Sequence, residues 1–168
     1  MHIFIVGPMA SGKSTIGKIL AKTLRVDFID TDKEIEKKAG VDISWIFEIE
    51  GEKGFRERER DILKEITKKK DLVISTGGGI VLLEENRKLM STKGKIIYLE
   101  TSIQVQLNRT ISDKIRPLLG KGNKREILKA LKKERDPLYH EIADVTINQK
   151  EKKSSQILSE IIDKLNIK

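Results

Sequence analysis

The octapeptide Gly7-Pro8-Met9-Ala10-Ser11-Gly12-Lys13-Ser14 restricts what this chain can fold into more than any other feature. It matches G-x-x-x-x-G-K-[ST], in which glycines let backbone N–H groups converge on phosphate oxygens and a helix N-terminus adds its dipole. Such a loop works only where a buried strand turns into a helix. The flanking residues meet that condition. Ile3-Phe4-Ile5-Val6 is an unbroken apolar run, the pattern of a parallel strand covered on both faces. Ile16, Ile19, Leu20 and Leu24 then recur at helical spacing. Lys13 is expected to reach the outer phosphates of ATP and Ser14 to offer its hydroxyl to Mg²⁺. Gly7, Ala10, Ser11, Gly12 and Thr15 complete the expected cradle. The competing reading is a glycine-rich turn with a solvated lysine.

The strand-to-helix alternation continues along the chain. Short β-branched runs at 26–29, 72–75, 95–99 and 144–147 are separated by segments of helical period. Phe55, Ile62, Leu63 and Ile66 mark one apolar stripe, and Ile157, Ile161, Ile162 and Leu165 another. The expectation is a three-layer α/β/α domain, doubly wound on a central five-stranded parallel sheet with right-handed crossovers. At 168 residues the chain fits one domain, 1–168. Two stretches break the alternation, at about 32–50 and 112–123. The second holds Arg116-Pro117-Leu118-Leu119-Gly120-Lys121-Gly122 and reads as a hinged, mobile lid.

Composition narrows the partners. The chain has no cysteine, so disulfides and thiolate metal sites are excluded and a reducing compartment, the cytoplasm, is expected. The first residues show neither a basic leader nor a long apolar segment, so no membrane association is expected. A formal net charge of +8 suits nucleic acid, but it suits equally an enzyme that handles polyanions. Aromatic residues make up 4% of the chain, leaving few stacking platforms, so nucleic acid is not the expected partner.

Asp30-Thr31-Asp32 lies at the end of the second predicted strand, the edge where open parallel sheets bind ligands. If strand geometry continued, both carboxylates would point one way, one toward Mg²⁺ and the other toward a substrate hydroxyl. Alternatively Thr31 or Asp32 caps a helix. Arg56 opens Arg56-Glu57-Arg58-Glu59-Arg60, which in isolation reads as a solvated helical face laced with ion pairs. Arg56 also adjoins the apolar stripe at Phe55, so it can turn inward with Glu59 orienting it. Gly77-Gly78-Gly79 follows the third strand and permits close approach of a ligand, where a tight turn would need one glycine. Trp45 reads as packing, and His140 as a helix-end residue without a metal partner.

Taken together these residues resemble the shikimate kinases. The likeness runs through Asp30-Thr31-Asp32, Ile35-Glu36, Gly40, Ile43, Ile46-Phe47, Gly51-Glu52, Phe55-Arg56 and Glu59. It continues through Gly77 to Gly79, Arg116 to Leu119, and Arg135 with Pro137-Leu138-Tyr139, spanning about residues 3–140. The resemblance implies a nucleoside-monophosphate-kinase-like P-loop fold, with a substrate-binding segment at about 32–60 and a lid at about 112–124. It implies ATP-dependent phosphorylation of the 3-hydroxyl of shikimate. In that scheme Asp32 receives the attacking hydroxyl, and Arg56, Arg135 and Gly77, Gly78 and Gly79 hold the acid. Ser14 and Asp30 serve Mg²⁺, Arg116 neutralises the transferring phosphoryl, and Arg109 lies near adenine or is simply a helix C-terminal charge. A monomer is the expected state. Ala10 departs from the family, where many members have glycine, and is expected to keep a negative φ. Residues 148–151 carry no adenine-pocket pattern that can be assigned. The rival readings are another small P-loop kinase, acting on gluconate or a nucleoside monophosphate, and a non-catalytic nucleotide-dependent binding module.

Overall fold

Strand β1 (His2–Val6) is buried at every residue because it lies between two parallel neighbours and under helices on both faces. The structure, a computed structural model, describes residues 1–111 and 123–167. Around β1 the sheet is completed by β2 (Asp27–Asp30), β3 (Leu72–Ser75), β4 (Gly94–Glu100) and β5 (Val145–Asn148), in the order β2-β3-β1-β4-β5. All pairings are parallel. The five predicted strands are therefore present, each within a residue or two of its expected bounds.

Side chains alternate across the sheet, and each face has its own core. Ile3 and Ile5 join Val73, Ile97 and Ile147 beneath α1 (Lys13–Leu24) and α7 (Ser154–Leu165), which contribute Ile16, Leu20, Ile157 and Ile161. Phe4 and Val6 join Ile74, Ile96 and Tyr98 on the other face. That face is covered by α3 (Ile43–Ile66), α4 (Glu84–Lys93) and α6 (Lys124–Ile142). Burying one such side chain contributes about 1.5–3 kcal/mol, so the sheet is anchored by its centre. Ile19, expected on the buried stripe of α1, is exposed.

The chain leaves β1 through α1 toward the β2 edge, then crosses after β3 to β4 on the other side. The C-terminal end of β1 is thus a topological switch point, where open parallel sheets leave a crevice.

The stretch 32–50 breaks the alternation as expected, because α2 (Thr31–Ala39) and the first part of α3 follow one another with no strand between them. α3 kinks at Gly51, whose φ of 71° and ψ of −179° suit a residue without a Cβ. Trp45 does not pack in the interior; it projects from the start of α3 with 52% of its surface exposed, while its neighbour Ile46 faces the core. His140 does sit in the last turn of α6, edge-on to Tyr98. The predicted lid and its Arg116 lie outside the described residues. Among those described, no helix is long and apolar enough to cross a membrane.

Candidate active site

A cleft of about 770 Å³ opens at the C-terminal edge of the sheet, floored by the turn between β1 and α1. The turn has a consistent polarity. Lys13 Nζ donates to the carbonyls of Gly7 (2.9 Å) and Pro8 (2.7 Å), and Gly12 O accepts from Ile16 N (3.0 Å). Three side chains from later in the sequence take the carbonyls between. Gln106 Nε2 donates to Met9 O (3.0 Å), Arg109 Nη1 to Ala10 O (2.8 Å) and Gln149 Nε2 to Ser11 O (2.8 Å). Ala10 has φ 59°, so the expectation of a negative φ is overturned. A left-handed alanine costs about 1–2 kcal/mol and persists only where surroundings enforce it.

Ser14, in the first turn of α1, donates its hydroxyl to Asp30 Oδ2 at 2.6 Å and approaches Ser75 Oγ at 3.3 Å. Asp30 ends β2 and caps α2, its Oδ1 accepting from Asp32 N (3.0 Å) and Lys33 N (3.3 Å). The cap is therefore Asp30, neither Thr31 nor Asp32, because the strand ends one residue earlier than that alternative requires. Strand geometry does not continue to Asp32, which belongs to the first turn of α2; both carboxylates nevertheless line the cleft. Thr31 is fully buried, and its hydroxyl accepts from Gly77 N at 3.1 Å, tying the start of α2 to the glycine turn.

Opposite the loop lies a second group. Arg56 is buried, its Nη1 2.9 Å from Glu59 Oε1 and its Nη2 3.3 Å from Glu52 Oε1, with its guanidinium carbon 5.1 Å from the Phe55 ring centre. The solvated-face reading fails for Arg56 and holds for Arg58, paired with Glu50, and Arg60, paired with Asp61. Gly79 packs against Arg56 so closely that a Cβ there would lie 2.3–2.5 Å from three guanidinium atoms. A Cβ on Gly77 would lie within 3 Å of the carboxylates of Asp32 and Glu59. Gly78 faces Arg135, which is also buried, and accepts on its carbonyl from Tyr139 Oη at 2.5 Å. All three glycines are thus positions of close approach.

Glu59 has no exposed surface, and burial pushes its carboxyl up to about 7 against the opposing pull of Arg56. Its Oε2 and the Nε atoms of Arg56 and Arg135 are buried without a hydrogen-bond partner among the described residues. A cleft wall carrying orphaned guanidinium donors suits an anion.

The structure therefore gathers every described residue expected at the site. Ala10 to Thr15, Asp30, Asp32, Arg56, Gly77 to Gly79, Arg109 and Arg135 line the cleft, and Gly7 supports it from behind through Lys13. Sequence reasoning missed Gln106 and Gln149, and it weighed Thr31 as a helix cap and not as the partner of Gly77 N. Gln149 had one signal, its place directly after β5 at the ligand-binding edge. Gln106 had only its position on the stripe Ile103, Gln106, Thr110 of α5 (Ile103–Thr110). Ser14 and Asp30 are hard oxygen donors in contact, a fit for two positions of a Mg²⁺ shell whose remainder comes from water and phosphate.

Comparison with known proteins agrees with this geometry. A family model described as shikimate kinase matches residues 9–166. The chain is similar to the shikimate kinase of Actinobacillus pleuropneumoniae serotype 5b, 52% identical over 162 residues that cover 96% of this chain and 94% of that protein. It superposes on the shikimate kinase from Acinetobacter baumannii, solved in complex with shikimate, with a TM-score of 0.95 and 44% identity. That match covers 98% of this chain and 92% of the other. A gluconokinase from Sinorhizobium meliloti, covering 98% of this chain and 91% of its own, shares the fold alone, at TM-score 0.61 and 16% identity.

Proposed function

The chain belongs to the shikimate kinase family, and on that footing we propose how its cleft phosphorylates the 3-hydroxyl of shikimate with ATP to give shikimate 3-phosphate and ADP. The observation that carries the reading is that one cleft joins a phosphate cradle to two buried guanidinium groups across a turn of three glycines. The cradle suits a triphosphate and the arginine pair a small carboxylic acid. A phosphoryl transfer needs little beyond holding donor and acceptor in line and neutralising charge.

The loop N–H groups and Lys13 hold the β- and γ-phosphates; in doing so Lys13 exchanges its contacts to Gly7 O and Pro8 O for phosphate oxygens. Ser14 and Asp30 would hold Mg²⁺, which when bound offsets charge on those phosphates. Asp32 orients the acceptor hydroxyl and takes its proton. Arg56 and Arg135 grip the carboxylate, Glu59 keeping Arg56 turned inward and Tyr139 steadying the glycine turn. Arg109 stands at the nucleotide end, and Arg116, outside the described residues, keeps the charge-neutralising role that the family implies. The working unit is one domain, 1–168, with substrate segment 32–60 and lid 112–124. It acts as a cytoplasmic monomer on small molecules, without nucleic acid or membrane partners.

A coupled ADP-release assay across shikimate, gluconate and nucleoside monophosphates tests the reading. Turnover with shikimate is expected. Turnover with gluconate or a monophosphate but not shikimate would overturn it, and nucleotide binding with no turnover at all would favour a non-catalytic module.

A further inference from the structure

We propose that Gln106 and Gln149 are positioning residues of the phosphate loop, their side-chain amides holding loop carbonyls outward so that loop N–H groups face the nucleotide phosphates. This deepens the kinase reading above and rests on it.

Every carbonyl from Gly7 to Gly12 has a donor, and the donors divide into two kinds. Lys13 and Arg109 are cations lining the cleft. An arriving polyphosphate attracts both away from the carbonyls they occupy. The amides of Gln106 and Gln149 carry no charge; Gln106 lies behind the loop, and Gln149, which also lines the cleft, is anchored by further contacts. Gln106 is 3% exposed, held on α5. Gln149 Nε2 also donates to Thr101 Oγ1 at 2.8 Å and lies 3.4 Å from Glu100 O, which anchors it to the end of β4.

The peptide plane turns these contacts into a phosphate-binding device. In a trans peptide the C=O of one residue and the N–H of the next point in opposite directions. Holding Met9 O outward therefore directs Ala10 N–H inward, and holding Ser11 O outward does the same for Gly12 N–H. Ala10, the loop residue in the left-handed region without being glycine, sits between the two braces. When Lys13 and Arg109 turn to the ligand, the braces are what keep its conformation from relaxing.

Gln149→Met and Gln106→Met remove the donor from each brace at nearly constant volume. For each variant, Kd for ADP and for inorganic tripolyphosphate is measured by calorimetry, with KM for ATP and for the acid, and Tm. Losing one amide-to-carbonyl hydrogen bond that orders the loop is expected to weaken ATP, ADP and tripolyphosphate alike by about tenfold. KM for the acid should stay within about twofold. Unchanged tripolyphosphate affinity, a loss confined to ADP, or an equal loss for acid and nucleotide would each overturn the proposal. If Gln106→Met fails to fold, Gln149→Met, at a partly exposed site, decides alone. Wild-type turnover of shikimate, assayed alongside, tests the kinase reading separately, because tripolyphosphate binding scores the braces whether or not the acid is phosphorylated.

Discussion

The phosphate loop and the proposed acid clamp would both bind anions, yet they are built in opposite ways. The loop would offer backbone N–H groups from one run of eight residues, and its carbonyls are held by Lys13 and by side chains from elsewhere in the chain. The clamp uses side chains, Arg56 from α3 and Arg135 from α6, and reduces its backbone to glycine so that they can approach. A backbone site is hard to mutate away but easy to deform. A side-chain site is rigidly packed, and one truncation removes a ligand-binding group outright.

That contrast predicts where substitution falls hardest. Asp32, which lines the cleft they share, is the proposed base. Asp32→Asn is expected to leave ADP binding intact and to cut kcat by about 10²–10⁴-fold, the usual worth of a positioned base. A kcat near wild type would remove it from the mechanism. Next comes the clamp: Arg135→Ala should raise KM for the acid about 100- to 1000-fold and leave KM for ATP nearly unchanged. If Arg135→Ala lowered only Tm, the clamp would be structural and the contrast would collapse.

The buried Glu59 offers a test through pH. Its folded-state pKa of about 7 stands above the ordinary glutamate value of 4.5, so the folded protein binds the proton more tightly than the unfolded chain. The stabilisation is complete below pH 4.5 and is lost as pH rises through 7. Urea unfolding should show wild type losing on the order of 3 kcal/mol more than Glu59→Gln between those limits. Parallel pH profiles for the two proteins would show that Glu59 does not titrate in this range. The smallest effect belongs to the loop. Ala10→Gly relieves the left-handed alanine but adds freedom to the unfolded chain, so a net gain of only about 0.5 kcal/mol in stability is expected. A loss of stability instead would mean that the Ala10 methyl contributes packing the loop needs.

Legibility followed the same division. The loop was readable because its chemistry is local: glycine spacing, a preceding apolar run and a following helical stripe lie within about twenty consecutive residues. The centre of the sheet was readable for a similar reason, since β1 and β3 are buried along their whole length and are built almost entirely of apolar residues. Trp45 was misread because an aromatic in an apolar run has the same sequence signature whether it faces inward or out. The helix cap slipped to Asp30 because capping chemistry recurs at three adjacent positions and only the point where β2 ends decides among them.

By itself, then, the order of residues determined a parallel α/β sheet with a phosphate loop at its switch point, because periodicity and glycine spacing act over short range. The clamp was suggested by resemblance, and the sequence showed only that Arg56, beside Phe55, is able to turn inward, not that it does. Tertiary structure decided that, through Phe55, Glu59 and the bare face of Gly79. It also brought Gln106 and Gln149, each some hundred or more residues away along the chain, onto neighbouring loop carbonyls. Contacts of that span leave no periodic trace, because they are fixed by how the layers pack and not by what precedes or follows them in the chain.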